Sequence, residues 1–155
     1  MTTLSDVQKT IAVALKNSQE FKDICIANAG SELSFALDSS MLFQREDLPY
    51  CVVHKFNKVH DENAEDEFIL QVVFAQTISY EPIEVYGIKM YQETFNIENI
   101  TNAAIVAIED ELSCSGVAGE FGFLVSHYNI ILSETGEADD IQSVLTLKIE
   151  KNKYL

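Results

Sequence analysis

The side chains best suited to acid–base or nucleophilic chemistry in this 155-residue chain are three histidines and three cysteines. They are His54, His60, His127, Cys25, Cys51 and Cys114. Cys51 and His54 stand three residues apart in a strand-like segment, so their side chains should point to opposite faces of a sheet. Cys114 and His127 could meet only through space, and no local residue would orient them as a catalytic pair. The sequence therefore predicts buried, structural thiols and no enzyme activity.

Carboxylates are the second group that could do chemistry, and they gather in two acidic runs. The runs are Asp61, Glu62, Glu65, Asp66 and Glu67, and Glu134, Glu137, Asp139 and Asp140. A Ca²⁺ ion takes about six to eight oxygen ligands, but the first run lacks the glycine and the alternating spacing of an EF-hand loop. Both runs are interpreted as solvated loops between strands. We expect no metal ion and no cofactor.

A glycine-rich segment covers residues 116–122, which contain Gly116, Gly119 and Gly122. Loops that cradle phosphate lead from a strand into a helix, so that the helix N-terminus faces the anion. This segment instead follows a predicted helix and precedes a predicted strand, and no P-loop lysine comes after it. It is interpreted as a connection and not as a nucleotide site.

The charge balance excludes several classes of partner. The chain holds 25 Asp and Glu against 10 Lys and Arg, for a net charge of -15. Such a surface should repel phosphate backbones and anionic lipid, so we expect no specific nucleic-acid binding and no membrane binding. The odd number of cysteines, the absence of a signal peptide and the lack of an apolar stretch of about 20 residues all favour a soluble intracellular protein.

Hydrophobic periodicity predicts an α+β fold in one domain, residues 1–155. The predicted helices cover about 5–28, with a break near 17–18 and a stop at Gly30, and about 97–113. The predicted strands cover 33–37, 50–58, 68–78, 121–132 and 143–151, whereas 83–91 could be a strand or a crossover. We expect a mainly antiparallel sheet of about four to five strands with two main helices packed on one face. The strand at 68–78 is apolar on both faces and should be central.

The order of these elements and two short motifs resemble a known family. Residues 47–54 read Asp-Leu-Pro-Tyr-Cys-Val-Val-His, and residues 67–75 follow the first acidic run as Glu-Phe-Ile-Leu-Gln-Val-Val-Phe-Ala. An N-terminal amphipathic helix precedes them, and a single helix and a closing strand at 144–150 follow. This pattern is similar to that of the tail terminator, or tail completion, proteins of long-tailed bacteriophages and prophages. Residues 79–96 and 114–123 are longer than that family would lead one to expect.

The resemblance implies a structural subunit that forms a ring, a hexamer in this family, at the end of the tail tube. Its partners would be further copies of itself, the tail tube protein and the head–tail connector protein. It would assemble in the bacterial cytoplasm and remain in the virion tail, with the two acidic runs lining the ring channel or facing a neighbouring ring. Two alternatives remain open: another head–tail joining or minor tail component, and a small ligand-binding α+β domain.

Overall fold

The computed structural model describes residues 2–39, 48–60, 65–78, 81–114, 121–133 and 140–152. These residues form three helices, a five-stranded sheet and a separate two-stranded hairpin. The helices are α1 (Leu4–Asn17), α2 (Gln19–Ala29) and α3 (Gln92–Cys114). The strands are β1 (Ser34–Leu37), β2 (Tyr50–Val59), β3 (Glu65–Thr77), β4 (Ile83–Val85), β5 (Ile88–Met90), β6 (Phe121–Ser133) and β7 (Asp140–Asn152). The predicted α+β class is confirmed.

The first predicted helix divides at Ser18, as its polar Asn17-Ser18 pair indicated. Ser18 has an extended backbone, and its hydroxyl accepts a hydrogen bond of 3.2 Å from the N–H of Phe21, which caps the start of α2. Gly30 ends α2 with a left-handed φ of 84°, and its N–H donates to the Ile26 carbonyl. The first helix begins at Leu4, close to the predicted start at about residue 5, and Thr3 and Asp6 form its capping box.

Within the described residues, the main sheet has the order β1-β2-β3-β7-β6. Strands β1 and β2 are parallel, whereas the β2–β3, β3–β7 and β7–β6 pairs are antiparallel. The predicted central position of β3 is therefore confirmed. Residues 83–91, which the sequence left ambiguous, contain the β4–β5 hairpin, with Gly87 in its turn at a φ of 75°.

One face of the sheet carries the helices, and apolar side chains between the two layers form a single buried cluster. From β3, this face presents Phe68, Leu70, Val72 and Phe74, all fully buried. Phe74 packs against Phe21 of α2, with ring centroids 6.1 Å apart. The intervening residues Ile69 and Val73 are only half-buried. The described helices pack on the first face, so we call this second face the open face, although Val52 and Ala75 on it are also buried.

The first residues of three elements differ from the prediction. α3 begins at Gln92, five residues earlier than the predicted start at about residue 97. β3 begins at Glu65, so Glu65, Asp66 and Glu67 are strand residues and not part of a loop. β7 likewise begins at Asp140, which the sequence assigned to the second acidic loop. β3 and β7 pair with each other over their whole length. This pairing extends both strands into charged residues that do not favour strand structure by themselves.

Candidate functional site

The predicted acidic site divides into residues that the structure places and residues that it does not. Asp61, Glu62, Glu134, Glu137 and Asp139 lie outside the described residues. Of the other four, Asp66 and Glu67 have described side chains within β3, and Asp140 is a half-buried residue at the start of β7. For Glu65, only its place at the first position of β3 is described.

Asp66 is a buried, paired carboxylate, only 6% exposed. Its oxygens contact the ring Nδ1 of His60 and lie 3.9 Å from the Nζ of Lys58. Lys58 also donates a hydrogen bond of 2.9 Å to the Thr2 carbonyl, which ties the start of the chain to β2. A buried carboxylate needs such partners, because an unpaired charge in this position would be costly. The prediction that Asp66 belongs to a solvated acidic loop is wrong.

Glu67 lies on the open face of the sheet, next to Glu150 in the β3–β7 register. Lys148 lies between the two carboxylates, with its Nζ 3.3 Å from Glu67 and 3.7 Å from Glu150. All three side chains are partly exposed, so the contribution of these ion pairs to stability is modest. With two carboxylates and one ammonium group, the cluster keeps a net negative charge, and Lys148 offsets only part of the predicted acidic surface at this position.

The thiols and histidines give no catalytic pair in the described part of the chain. Cys51 pairs with Phe74 on the helix-covered face, whereas His54 pairs with Gln71 on the open face, as predicted. Cys25 and Cys51 are both buried. Desolvation raises the pKa of Cys25 to about 12 and that of Cys51 well above its ordinary value, so both remain neutral thiols near pH 7. The described residues also contain no group of three His, Cys, Asp or Glu that could hold a metal ion.

A polar network that the sequence did not predict fixes α1 to the edge of the sheet. Gln8 is 2% exposed, and its amide donates to Asp38 at 2.7 Å and to the Val53 carbonyl at 2.8 Å. Asp38 ends β1 in a left-handed conformation (φ 69°) and lies 3.6 Å from the Nζ of Lys55. Partial desolvation raises the pKa of Asp38, but the hydrogen bond from Gln8 and the N–H and charge of Lys55 outweigh it and lower the pKa overall.

A second unpredicted contact fixes α3 beside β7. Thr101 and Ser143 are fully buried, and their hydroxyl oxygens are 2.7 Å apart. The Thr101 hydroxyl also lies 2.8 Å from the Ile97 carbonyl. Both oxygens are satisfied if Thr101 donates to Ile97 and accepts from Ser143. Threonine in a helix and serine in a strand are both common, so nothing in the sequence marks these two residues as partners.

A polar cavity of about 290 Å³ lies at the end of α2, where β3 and the first turn of α3 meet. Its lining includes Asn28, Gln76, Glu93 and Asn96. Gln76 is 4% exposed, and its side-chain oxygen receives no hydrogen bond within the described structure. Such an acceptor is suited to a ligand that carries an N–H or O–H donor.

The comparisons with known proteins do not assign the chain to a family. No family model matches the sequence, and no curated protein matches it significantly. None of the described helices combines the length and apolar character needed to cross a membrane.

Proposed function

We propose that this chain is a structural subunit of a phage or prophage tail, which forms a ring at the end of the tail tube, stops tube growth and joins the tail to the head. The support is the architecture together with the sequence resemblance. The described elements include those of that pattern in the same order: N-terminal helices, β2 after Pro49, its long antiparallel partner β3, the helix α3 and the closing strand β7. Further copies of the chain, the tail tube protein and the head–tail connector are the proposed partners.

The lateral ends of the sheet are the observation that carries the proposal. No described strand pairs with the outer edge of β1 or of β6. A ring requires two different surfaces on each subunit, one for each neighbour, because a head-to-tail contact is heterologous. Two unlike sheet edges on opposite sides of one domain fit this requirement. Assembly in the host cytoplasm and residence in the virion tail follow from the same proposal.

Light scattering on gel-filtration fractions, with negative-stain images of the same fractions, tests the ring. We expect particles of about six subunits with a central opening. The purified protein should also bind to the ends of polymerised tail tubes and stop their elongation. Tubes that continue to grow at saturating protein would refute the tail function, whatever the oligomeric state of the chain.

The acidic runs at residues 61–67 and 134–140 provide a second test of the ring. DNA must pass through such a ring, and an acidic channel would repel its phosphates. Changing Asp61 and Glu62, or Glu134 and Glu137, to lysine should leave folding intact and reduce the yield of infectious particles. Asp66 is unsuitable for this experiment, since its reversal would break its contacts with Lys58 and His60. An unchanged particle yield would remove the channel role of these residues.

The polar cavity supports a second candidate, a small ligand-binding α+β domain. Gln76 offers a buried acceptor there, and the half-open shape would let a small molecule enter. A chain that stays monomeric, does not bind tail tubes and gains thermal stability from a small hydrogen-bond donor would favour this candidate over the ring.

A further inference from the structure

The long edge strand β6 lacks the features that usually protect a sheet edge. Proteins block such edges with lysine and other charged residues or with proline, since an open row of N–H and C=O groups pairs readily with another chain. Residues 121–133 contain no proline, lysine, arginine, aspartate or glutamate, although the whole chain has a net charge of -15. Ile130, Ile131 and Leu132 are 38%, 46% and 39% exposed. The apolar end of β6 is therefore open to a partner strand.

An apolar groove of about 170 Å³ lies at the opposite edge of the sheet, between α1 and β1. Phe35, Ala36 and Leu37 line it from β1, and Ala12 and Val13 are among its residues from α1. Successive side chains of a strand point to opposite faces, so three consecutive lining residues show that the groove follows the strand's own edge. The network of Gln8 and Asp38 holds α1 over this edge. The groove is thus shaped for an added strand.

The register of the sheet shows which part of β6 lies level with this groove. Following the Cα partners from Ser34 through β2, β3 and β7 leads to Ile131, and following them from Leu37 leads to Tyr128. The alternating directions also make β6 antiparallel to β1. A second copy placed side by side, in the same orientation, would therefore set its residues 128–131 antiparallel to β1. Ile130 would then lie level with Phe35, on the helix-covered face.

Charge favours a second copy of this acidic chain in the groove. Lys9 and Lys16 of α1 both line it, and they are two of only ten basic residues. On the β6 side, the Tyr128 hydroxyl donates to Glu98 of α3 at 3.1 Å, which places a carboxylate next to the edge strand. The two edges thus combine apolar side chains with charges of opposite sign, as expected for complementary surfaces.

We propose that the groove between α1 and β1 binds residues 128–131 of β6 from a second copy of the chain, so that the five-stranded sheets of neighbouring subunits join into one. The contact is heterologous, and repetition of it gives a closed ring or a filament. The proposal rests on the proposed function, because that function requires subunits joined in a ring. It adds the interface, the pair of strands and their register.

Disulfide trapping tests the register. Ala36 and Asn129 lie level in the sheet and on its open face, so in the joined sheets their Cβ atoms would be about 5 Å apart. In a Cys114→Ser background, the Ala36→Cys/Asn129→Cys chain should form a ladder of covalent oligomers under mild oxidation. The Ala36→Cys/His127→Cys chain is the matched control, since His127 is two residues away on the same face and should cross-link at least about tenfold more slowly. Equal rates, or no ladder, would overturn the proposed register.

Blocking the edge tests the interface itself. Ile130→Lys places a charge in the groove of the neighbour and should weaken self-association by at least about tenfold. Val106→Lys is the control, because Val106 is a similarly exposed residue (51%) on α3, and this change should leave self-association unaltered. Rings that persist in Ile130→Lys would refute this interface and leave the tail function standing. Intact self-association of the wild type without binding to tail tubes would refute the tail function and leave the interface standing.

Discussion

Replacing Thr101 by valine removes one partner of the buried hydroxyl pair that fixes α3 to β7. Valine keeps the shape of threonine, so the main effect is that the Ser143 hydroxyl loses the acceptor 2.7 Å away. Ser143 is fully buried, so water does not replace that partner. An unsatisfied buried hydroxyl costs about 1–3 kcal/mol, and we expect the free energy of unfolding to fall by that amount. For a domain of this size, 1 kcal/mol corresponds to a shift in melting temperature of about 2–4 °C.

The reciprocal change should cost less, because the two partners are not equivalent. In Ser143→Ala, Thr101 still donates to the Ile97 carbonyl at 2.8 Å and loses only the hydrogen bond that it accepts, so we expect a loss of about 1 kcal/mol. In the double variant no hydroxyl is left unpaired, and its loss should be smaller than the sum of the two single losses by about 1 kcal/mol or more.

Urea unfolding of the four proteins measures this cycle, provided that the slope m stays constant. Thr10→Val is the matched control: its hydroxyl makes the same bond to a carbonyl four residues earlier, Asp6 at 2.8 Å, but this bond lies on the exposed side of α1. We expect it to change stability by less than about 0.5 kcal/mol. Additive losses for Thr101 and Ser143, within about 0.5 kcal/mol, would refute the argument that the two hydroxyls satisfy each other.

Three further predictions concern groups with shifted pKa values or buried polar contacts. Gln8→Ala should lower the free energy of unfolding by about 1–3 kcal/mol in urea, since it removes both bonds of a buried amide. Folding lowers the pKa of Asp38, so its contribution to stability is present above the unfolded pKa of about 3.9 and is lost as the pH falls through the folded pKa. The difference in the free energy of unfolding between wild type and Asp38→Asn should therefore disappear below about pH 4. In Cys114→Ser protein at pH 8, Cys25 and Cys51 should react with a disulfide reagent only after denaturation, because desolvation raises both pKa values.

The first of these predictions has a matched control, and each of the three has an outcome that would contradict it. Gln19→Ala removes an exposed amide that bonds only to Asp23 among the described contacts, and it should change stability by less than about 0.5 kcal/mol. If Gln8→Ala lost no more unfolding free energy than Gln19→Ala, the stabilising role of the buried network would be contradicted. A difference in the free energy of unfolding between wild type and Asp38→Asn that persists at pH 2 would contradict the lowered pKa of Asp38. Rapid labelling of the native thiols would show that the core opens around Cys25 or Cys51.

Local sequence determined most of the elements of this fold. The apolar period of three to four residues located α1, α2 and α3, and the alternating period of two located β1, β2 and β7. Ser18 and Gly30 marked the helix break and the helix end because their conformations depend on the residue itself and its nearest neighbours. The central position of β3 followed from its apolar residues on both faces, although Ile69 and Val73 on its open face proved only half-buried.

Only the tertiary structure decided which residues meet. The charge run at residues 61–67 indicated a loop. Pairing with β2 and β7 instead makes Glu65, Asp66 and Glu67 part of strand β3, and it places Asp66 in contact with the partners that a buried carboxylate needs. Thr101 and Ser143 are 42 residues apart, so no local pattern relates them. The alignment of residues 128–131 with β1 likewise depends on the register of four strand pairs, which hydrogen bonds between distant segments set, and not on the preference of any one segment.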